Sequence, residues 1–234
     1  MSAIKGLYDR IMYSRFRLSP AYEKLYNLAV LNLPERAFSL LFSYVRDHGI
    51  RGDYLEFGVA RGNSFVKNYH ISKTRGVKWL RYFAFDSFSG LPPFKGVDTS
   101  FSLFKPGMYA YSRKEFLGFV KSHGVKEKDI VVIEGYYKDS LRNHVKTEHH
   151  LEKAAVILID CDLYESAKQA LNFCTSIIQD GTAIYFDDFA VFDGSSRLGE
   201  RKAFAEWLKA NKLVAHPFPA ALLRENCFLL EKRR

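Results

Sequence analysis

The chain opens with helical periodicity and then changes rhythm. In "PERAFSLLFSYVRDHG", Phe38, Leu41, Phe42 and Val45 recur at the three- and four-residue spacing of one helix face. Pro34 suits the first turn of that helix, and Gly49 is placed to stop it. Residues 1–50 therefore read as a helical N-terminal extension, on the substrate side or at a dimer contact. From residue 51 onward, short apolar runs alternate with helical stretches. The runs are "YLEF" (54–57), "YFAF" (82–85), "IVVI" (130–133), "VILI" (156–159) and "AIYF" (183–186). Such unbroken runs predict parallel strands covered on both faces. Between the last two, "ESAKQALNFCTSIIQDG" places Ala167, Ala170, Leu171, Cys174 and Ile178 on one helical face, closed by Gly181. The end differs: "KLVAHPF" and "CFLLEK" flank a short loop and predict an antiparallel hairpin. The fold class is α/β, a doubly wound sheet with helices on both faces. Residues 91–112 break the pattern with prolines, glycines and aromatics and no period. A connection of that length in a compact domain predicts a lid.

Composition narrows the class. At 234 residues and 47% hydrophobic, the chain supports one domain with an appendage, here 51–234 with the extension 1–50. No apolar run is long enough to span a bilayer, and the N-terminus carries no secretory pattern, so a cytoplasmic protein is expected. The three cysteines, Cys161, Cys174 and Cys227, are widely spaced and read as reduced packing residues. The net charge is +9, and residues 197–234 hold nine basic against four acidic residues. That balance permits an anionic partner, yet no RNA-binding signature accompanies it, and nucleic acid is not the expected partner.

The candidate chemistry lies at the strand ends, where open α/β sheets bind ligands. "YLEFGVARGNS" puts Glu56 at the end of the first strand and Gly58 and Gly62 in the turn that follows. Glycines there let a backbone approach a ligand, and a helix N-terminus offers N–H groups to an anion. The turn is neither an ATP phosphate loop nor a full dinucleotide fingerprint. "YFAFDSF" ends the second strand with Asp86, which reads either as a turn aspartate or as an acceptor for two ribose hydroxyls. With the glycine turn beside it, a nucleoside-containing cofactor is the better reading. "DCDLYES" follows the fourth strand with Asp160 and Asp162, and "AIYFDDF" ends the fifth with Asp187 and Asp188. Four carboxylates brought together by neighbouring strands repel, and a hard divalent cation resolves the repulsion. Asp160, Asp187 and Asp188 are therefore expected to bind Mg²⁺, leaving Asp162 as general base.

In order and spacing, "EFGVARGNS", "FDSFSGLP", "EGYYKDSL", "IDCDLYES" and "DDF" followed by "GSSRLGERKAFAEW" resemble the macrocin O-methyltransferase family. The resemblance runs from about Asp53 to Leu208. It implies a class I, S-adenosylmethionine-dependent enzyme that methylates sugar hydroxyls of natural products. It also implies a Rossmann-like seven-stranded sheet whose last strand is antiparallel. By position it assigns Glu56, Gly58 and Ser64 to the methionine end of S-adenosylmethionine, and Asp86, with Ser87 beside it, to the ribose. Tyr136, Tyr137 and Asp139 would border the adenine. Asp160, which also borders the cofactor and takes part in catalysis, would bind Mg²⁺ with Asp187 and Asp188, and Asp162 would be the base. The chain departs from the family pattern at Ala60 and Asn63 in the first motif and at Ser140 and Arg142 in the third. The expected partner is a small-molecule glycoside or diol, and a homo-oligomer fits the extension. Two other readings are kept open: an RNA methyltransferase of the same fold class, and a non-catalytic S-adenosylmethionine-binding protein.

Overall fold

A computed structural model describes residues 33–100, 103–219 and 225–233, with side chains from Glu35 onward. Residues 37–234 make one compact unit; of residues 1–36, only the first turn of a helix is described. Residues 1–32 of the expected helical extension lie outside the described residues.

Helix α1 (Leu33–Asp47) forms where the periodicity predicts it. Ala37, Phe38, Leu41, Phe42 and Val45 are buried, and Gly49 follows at φ +64°. These side chains join the core against the sheet rather than a separate layer. Each buried Phe or Leu contributes about 1.5–3 kcal/mol relative to exposure.

Seven strands form one sheet in the order β3-β2-β1-β4-β5-β7-β6. They are β1 (Asp53–Phe57), β2 (Tyr82–Asp86), β3 (Ile130–Glu134), β4 (Ala154–Ile159), β5 (Ala183–Phe186), β6 (Leu213–Pro217) and β7 (Asn226–Lys232). Strands β1 to β5 pair in parallel, and β7 is antiparallel to both β5 and β6, as the hairpin predicted. Strand β3 is more exposed than an all-apolar run suggests, because as an edge strand it pairs only with β2.

Helices cover both faces. On one side lie α1, α2 (Asn63–Thr74) and α3 (Arg113–Ser122), the last started by a reciprocal capping box between Ser112 and Glu115. On the other lie short α4 (Tyr137–Ser140) and α5 (Asn143–Glu148), then α6 (Tyr164–Cys174) and α7 (Gly199–Asn211). Helix α6 stops well short of Gly181, contrary to the pattern reading. A 3₁₀ turn at Thr175–Ile177 replaces its end, and Ile178 is already extended. Its predicted apolar face is nevertheless buried, from Ala167 to Ile178.

The strand order reverses between β1 and β4, the switch point where ligands of such sheets bind. Register makes that edge sharp. Phe85 pairs Phe57, Phe57 pairs Ile159, and Ile159 pairs Phe186. The next residue on each strand is therefore Asp86, Gly58, Asp160 or Asp187, all in one row.

Candidate active site

The β1–α2 turn is held by neighbouring strands. The Gly58 N–H donates to the Phe85 carbonyl at 2.9 Å, and the Asp160 N–H donates to the Phe57 carbonyl at 2.9 Å. Gly58 has φ +89°, and a Cβ on it would lie 1.7 Å from the Asp160 carbonyl oxygen. The closest demand for glycine here is thus another strand's backbone. Asp86 reaches into the same turn. Its Oδ2 accepts the Val59 and Ala60 N–H groups at 2.8 and 2.9 Å, and its Oδ1 accepts the Phe88 N–H at 2.8 Å. The turn reading of Asp86 is therefore real, and its two carboxyl oxygens keep further lone pairs for a ligand hydroxyl. Ser87 closes its own turn, donating to the Gly90 carbonyl at 2.8 Å.

Beneath this turn lies a buried polar network. Tyr54 and Ser64 donate their hydroxyls to the two oxygens of Glu56, and Asn68 donates to the Tyr54 oxygen at 2.8 Å. Burial dominates the Glu56 carboxyl and pushes it up to about 7; the Ser64 and Tyr54 hydrogen bonds oppose this, while Asp187 and Asp86 add to it. A raised carboxyl pKa favours the protonated form in the fold. Its stabilisation is full below the ordinary value of 4.5 and is lost as pH rises through about 7. Cofactor-free protein is expected to lose roughly 3 kcal/mol from this group between pH 4.5 and 8. Glu56→Gln should flatten that part of a melting-temperature profile, and an unchanged slope would refute the assignment.

Tyr137 stands between the glycine turn and the aspartates. Its ring meets Phe57 edge-on at 5.8 Å, and its hydroxyl donates to the Phe85 carbonyl at 3.2 Å. Burial, then Cys161, Asp86, Asp160 and Asp162, hold the phenol well above its ordinary value, so it stays protonated. Tyr136 precedes it at the start of α4. Asp139 is exposed beside Lys138 at 3.7 Å and is not part of the buried cluster.

Asp160 follows β4 directly, and the Asp187 N–H donates to the Ile159 carbonyl at 3.1 Å, which sets the two acids side by side. Burial raises the Asp160 carboxyl well above its usual range, and Asp187, Asp162, Glu200 and Glu56 raise it further. Asp162 is buried and has φ +60°, in the left-handed region. The Leu163 N–H closes onto the Cys161 carbonyl at 2.6 Å, so Asp162 heads a tight three-residue turn. A non-glycine residue held this way costs about 1–3 kcal/mol, a cost that concentrates at functional sites. The Cys161 thiol between the acids is held protonated by burial and by Glu200, Asp162 and Asp160.

Glu200, at the start of α7, is fully buried; it is the residue sequence reasoning passed over. Its Oε1 accepts the Cys161 N–H at 3.3 Å and its Oε2 accepts the Asp188 N–H at 3.2 Å. One side chain thus ties the β4 and β5 acid turns together. Its carboxyl is raised by burial first, then by Asp188 and Asp162. An acid in the first turn of a helix is a common and favourable placement, so its type alone marks nothing. The one signal was its place, twelve residues after a paired aspartate.

The donor set fits a hard cation in kind. Every group is a carboxylate, several are buried, and the side chains that raise Asp160 and Glu200 are themselves acids. Among the described residues, however, no three His, Cys, Asp or Glu side chains form a group able to hold a metal ion as they stand. Also among those residues, no helix is long and apolar enough to cross a membrane.

The 4'-O-methyltransferase of Streptomyces olivaceus for 8-demethyl-8-(2,3-dimethoxy-alpha-L-rhamnosyl)-tetracenomycin-C is 28% identical over 148 residues. That match takes in 61% of this chain and 55% of the relative, so the chain spans about half the relative's length. Among solved structures, the O-methyltransferase NovP has a TM-score of 0.70 at 19% identity, with 85% of this chain and 80% of that one covered. The calicheamicin methyltransferase CalS11 has 0.67 at 20%, with 96% and 90% covered. At such identities the structures speak for the fold, which is that of class I O-methyltransferases. The family model described as Macrocin-O-methyltransferase (TylF) matches residues 36–216, from α1 through every candidate site residue to β6. The chain therefore belongs to the macrocin O-methyltransferase family.

Proposed function

We propose that this protein methylates a sugar hydroxyl of a glycoside natural product, using S-adenosylmethionine and Mg²⁺. The observation that carries the reading is Asp162, a buried carboxylate on a strained turn beside Asp160 and the β5 acids. The relatives named for methylating rhamnosyl and other natural-product groups support the acceptor class.

When bound, S-adenosylmethionine supplies a sulfonium methyl, and Mg²⁺ acidifies a hydroxyl it touches, as metals do for water. Asp160, Asp187 and Asp188 would hold the cation. Glu56 and Ser64 would receive the methionine end of the cofactor, and Asp86 the ribose. Gly58, with no side chain, keeps the turn open. Tyr136 and Tyr137 would border the adenine; exposed Asp139 would act only at that rim. A sugar hydroxyl is a poor nucleophile at neutral pH, so a base must take its proton. Asp162 is the carboxylate assigned to take it. Residues 91–112 would border the acceptor, whose orientation sets the in-line attack.

Incubation with S-adenosylmethionine, Mg²⁺ and a panel of glycosides bearing vicinal diols should yield product one methyl heavier. Thermal stabilisation by S-adenosylmethionine without transfer to any sugar or catechol would favour a non-catalytic binder. Mg²⁺ titrated calorimetrically into the cofactor complex should bind saturably, and Asp187→Asn should weaken it at least tenfold. Absence of binding by the wild-type protein would remove the cation from the proposal.

A further inference from the structure

Helix α6 begins immediately behind the Asp162 turn, and its N-cap position is Leu163, which provides no side-chain cap. The first N–H groups of a helix need acceptors. Here they come from far away in the chain. Asp98 Oδ1 accepts the Tyr164 N–H at 2.8 Å, and Asp98 Oδ2 accepts the Glu165 N–H at 3.1 Å. Asp98 is buried, within a 3₁₀ turn at Gly96–Ser100 inside the irregular segment 91–112. That segment is fastened at its neck as well. The Leu91 N–H donates to the Met108 carbonyl and the Gly107 N–H to the Leu91 carbonyl, both at 2.9 Å. Its apolar residues Leu91, Phe94 and Phe104 pack in one cluster with Leu163 and with Phe192, which follows the β5 acids.

We propose that Asp98 is a positioning residue: by capping α6 from within segment 91–112, it fixes the Cys161–Leu163 turn and so the direction of the Asp162 carboxylate. The inference rests on the reading of Asp162 as base. Its physical basis is simple. A turn with a left-handed aspartate at its head relaxes unless both flanks are held. One flank is β4; the other is the first turn of α6, whose Tyr164 and Glu165 amides Asp98 accepts. The charge also sits favourably at a helix N-terminus. Segment 91–112 is thereby coupled mechanically to the reacting centre.

The test compares wild type with Asp98→Ala and Asp98→Asn by hydrogen exchange and kinetics. Exchange in peptides covering 160–170 should speed up about tenfold or more in Asp98→Ala and less in Asp98→Asn, which keeps one acceptor oxygen. In the same variants kcat should fall about ten- to a hundredfold, with S-adenosylmethionine affinity within threefold and partial rescue by Asn. Unchanged exchange overturns the proposal. So does a kcat within twofold of wild type, or an equal loss of kcat and cofactor affinity. If Asp98→Ala does not fold, the same criteria apply to Asp98→Asn. If the wild type transfers methyl to no acceptor, the function reading fails, and exchange alone decides the capping role.

Discussion

Asp162→Asn is expected to lower kcat about a thousandfold while leaving S-adenosylmethionine affinity within threefold. General-base removal costs about 10²–10⁴-fold. The substitution is chosen for its backbone. Asp162 holds φ +60° in a turn closed by the Leu163-to-Cys161 hydrogen bond. Asn tolerates that conformation better than other residues with a side chain, so the change removes charge and basicity and little else. Asp162→Ala would add backbone strain and should lower the melting temperature as well, and Asp162→Gly should recover stability without turnover. Single-turnover methyl transfer and calorimetric cofactor binding provide the two readouts. A kcat within tenfold of wild type, or parallel loss of both quantities, would move Asp162 from chemistry to structure.

What could be foreseen from sequence follows from how local each signal is. The five parallel strands were legible because each is a short apolar run, and each run ends in glycine or an acid close by. Register then does the rest: once Phe57, Phe85, Ile159 and Phe186 align, Gly58, Asp86, Asp160 and Asp187 must share an edge. The partners of these groups were not legible. Nothing near Leu163 says that the helix it precedes is capped by a residue 66 positions upstream of Tyr164. The burial of Glu200 between the Cys161 and Asp188 amides is likewise set by tertiary contacts that no local pattern reports. Asp86 offered a choice between turn and ligand, and its two oxygens in fact hold three backbone N–H groups. The end of α6 was misplaced because Gly181, with its φ of +85°, marks the turn into β5 rather than the helix stop. Periodicity reports which face is buried; it does not report which distant side chain satisfies a helix end.

Gly58→Ala should be the most damaging single-methyl change in the site. A methyl at Gly58 would sit 1.7 Å from the Asp160 carbonyl oxygen and 2.8 Å from its carbon, both backbone atoms that cannot swing aside. The residue also holds φ +89°, which costs an L-amino acid about 1–2 kcal/mol before any contact is counted. Relief requires parting the ends of β1 and β4, at the expense of the 2.9 Å hydrogen bond from Asp160 N–H to Phe57. Together these predict a loss of roughly 3–5 kcal/mol. For a chain of this size that is a melting-temperature drop of about 10 °C or more. Gly62→Ala is the matched control. It holds φ +105°, so the backbone penalty is shared, but there a methyl would meet side-chain atoms of buried Val120 and Phe116 at 2.9 and 3.0 Å instead of backbone at 1.7 Å, so a smaller loss is expected. Because the displaced atoms belong to Asp160, Gly58→Ala should lose turnover beyond what its unfolded fraction explains, when both variants are assayed well below their melting points. A stable Gly58→Ala that binds no S-adenosylmethionine would give the opposite answer: the glycine then serves the ligand's approach, and the pairing of β1 and β4 does not depend on it.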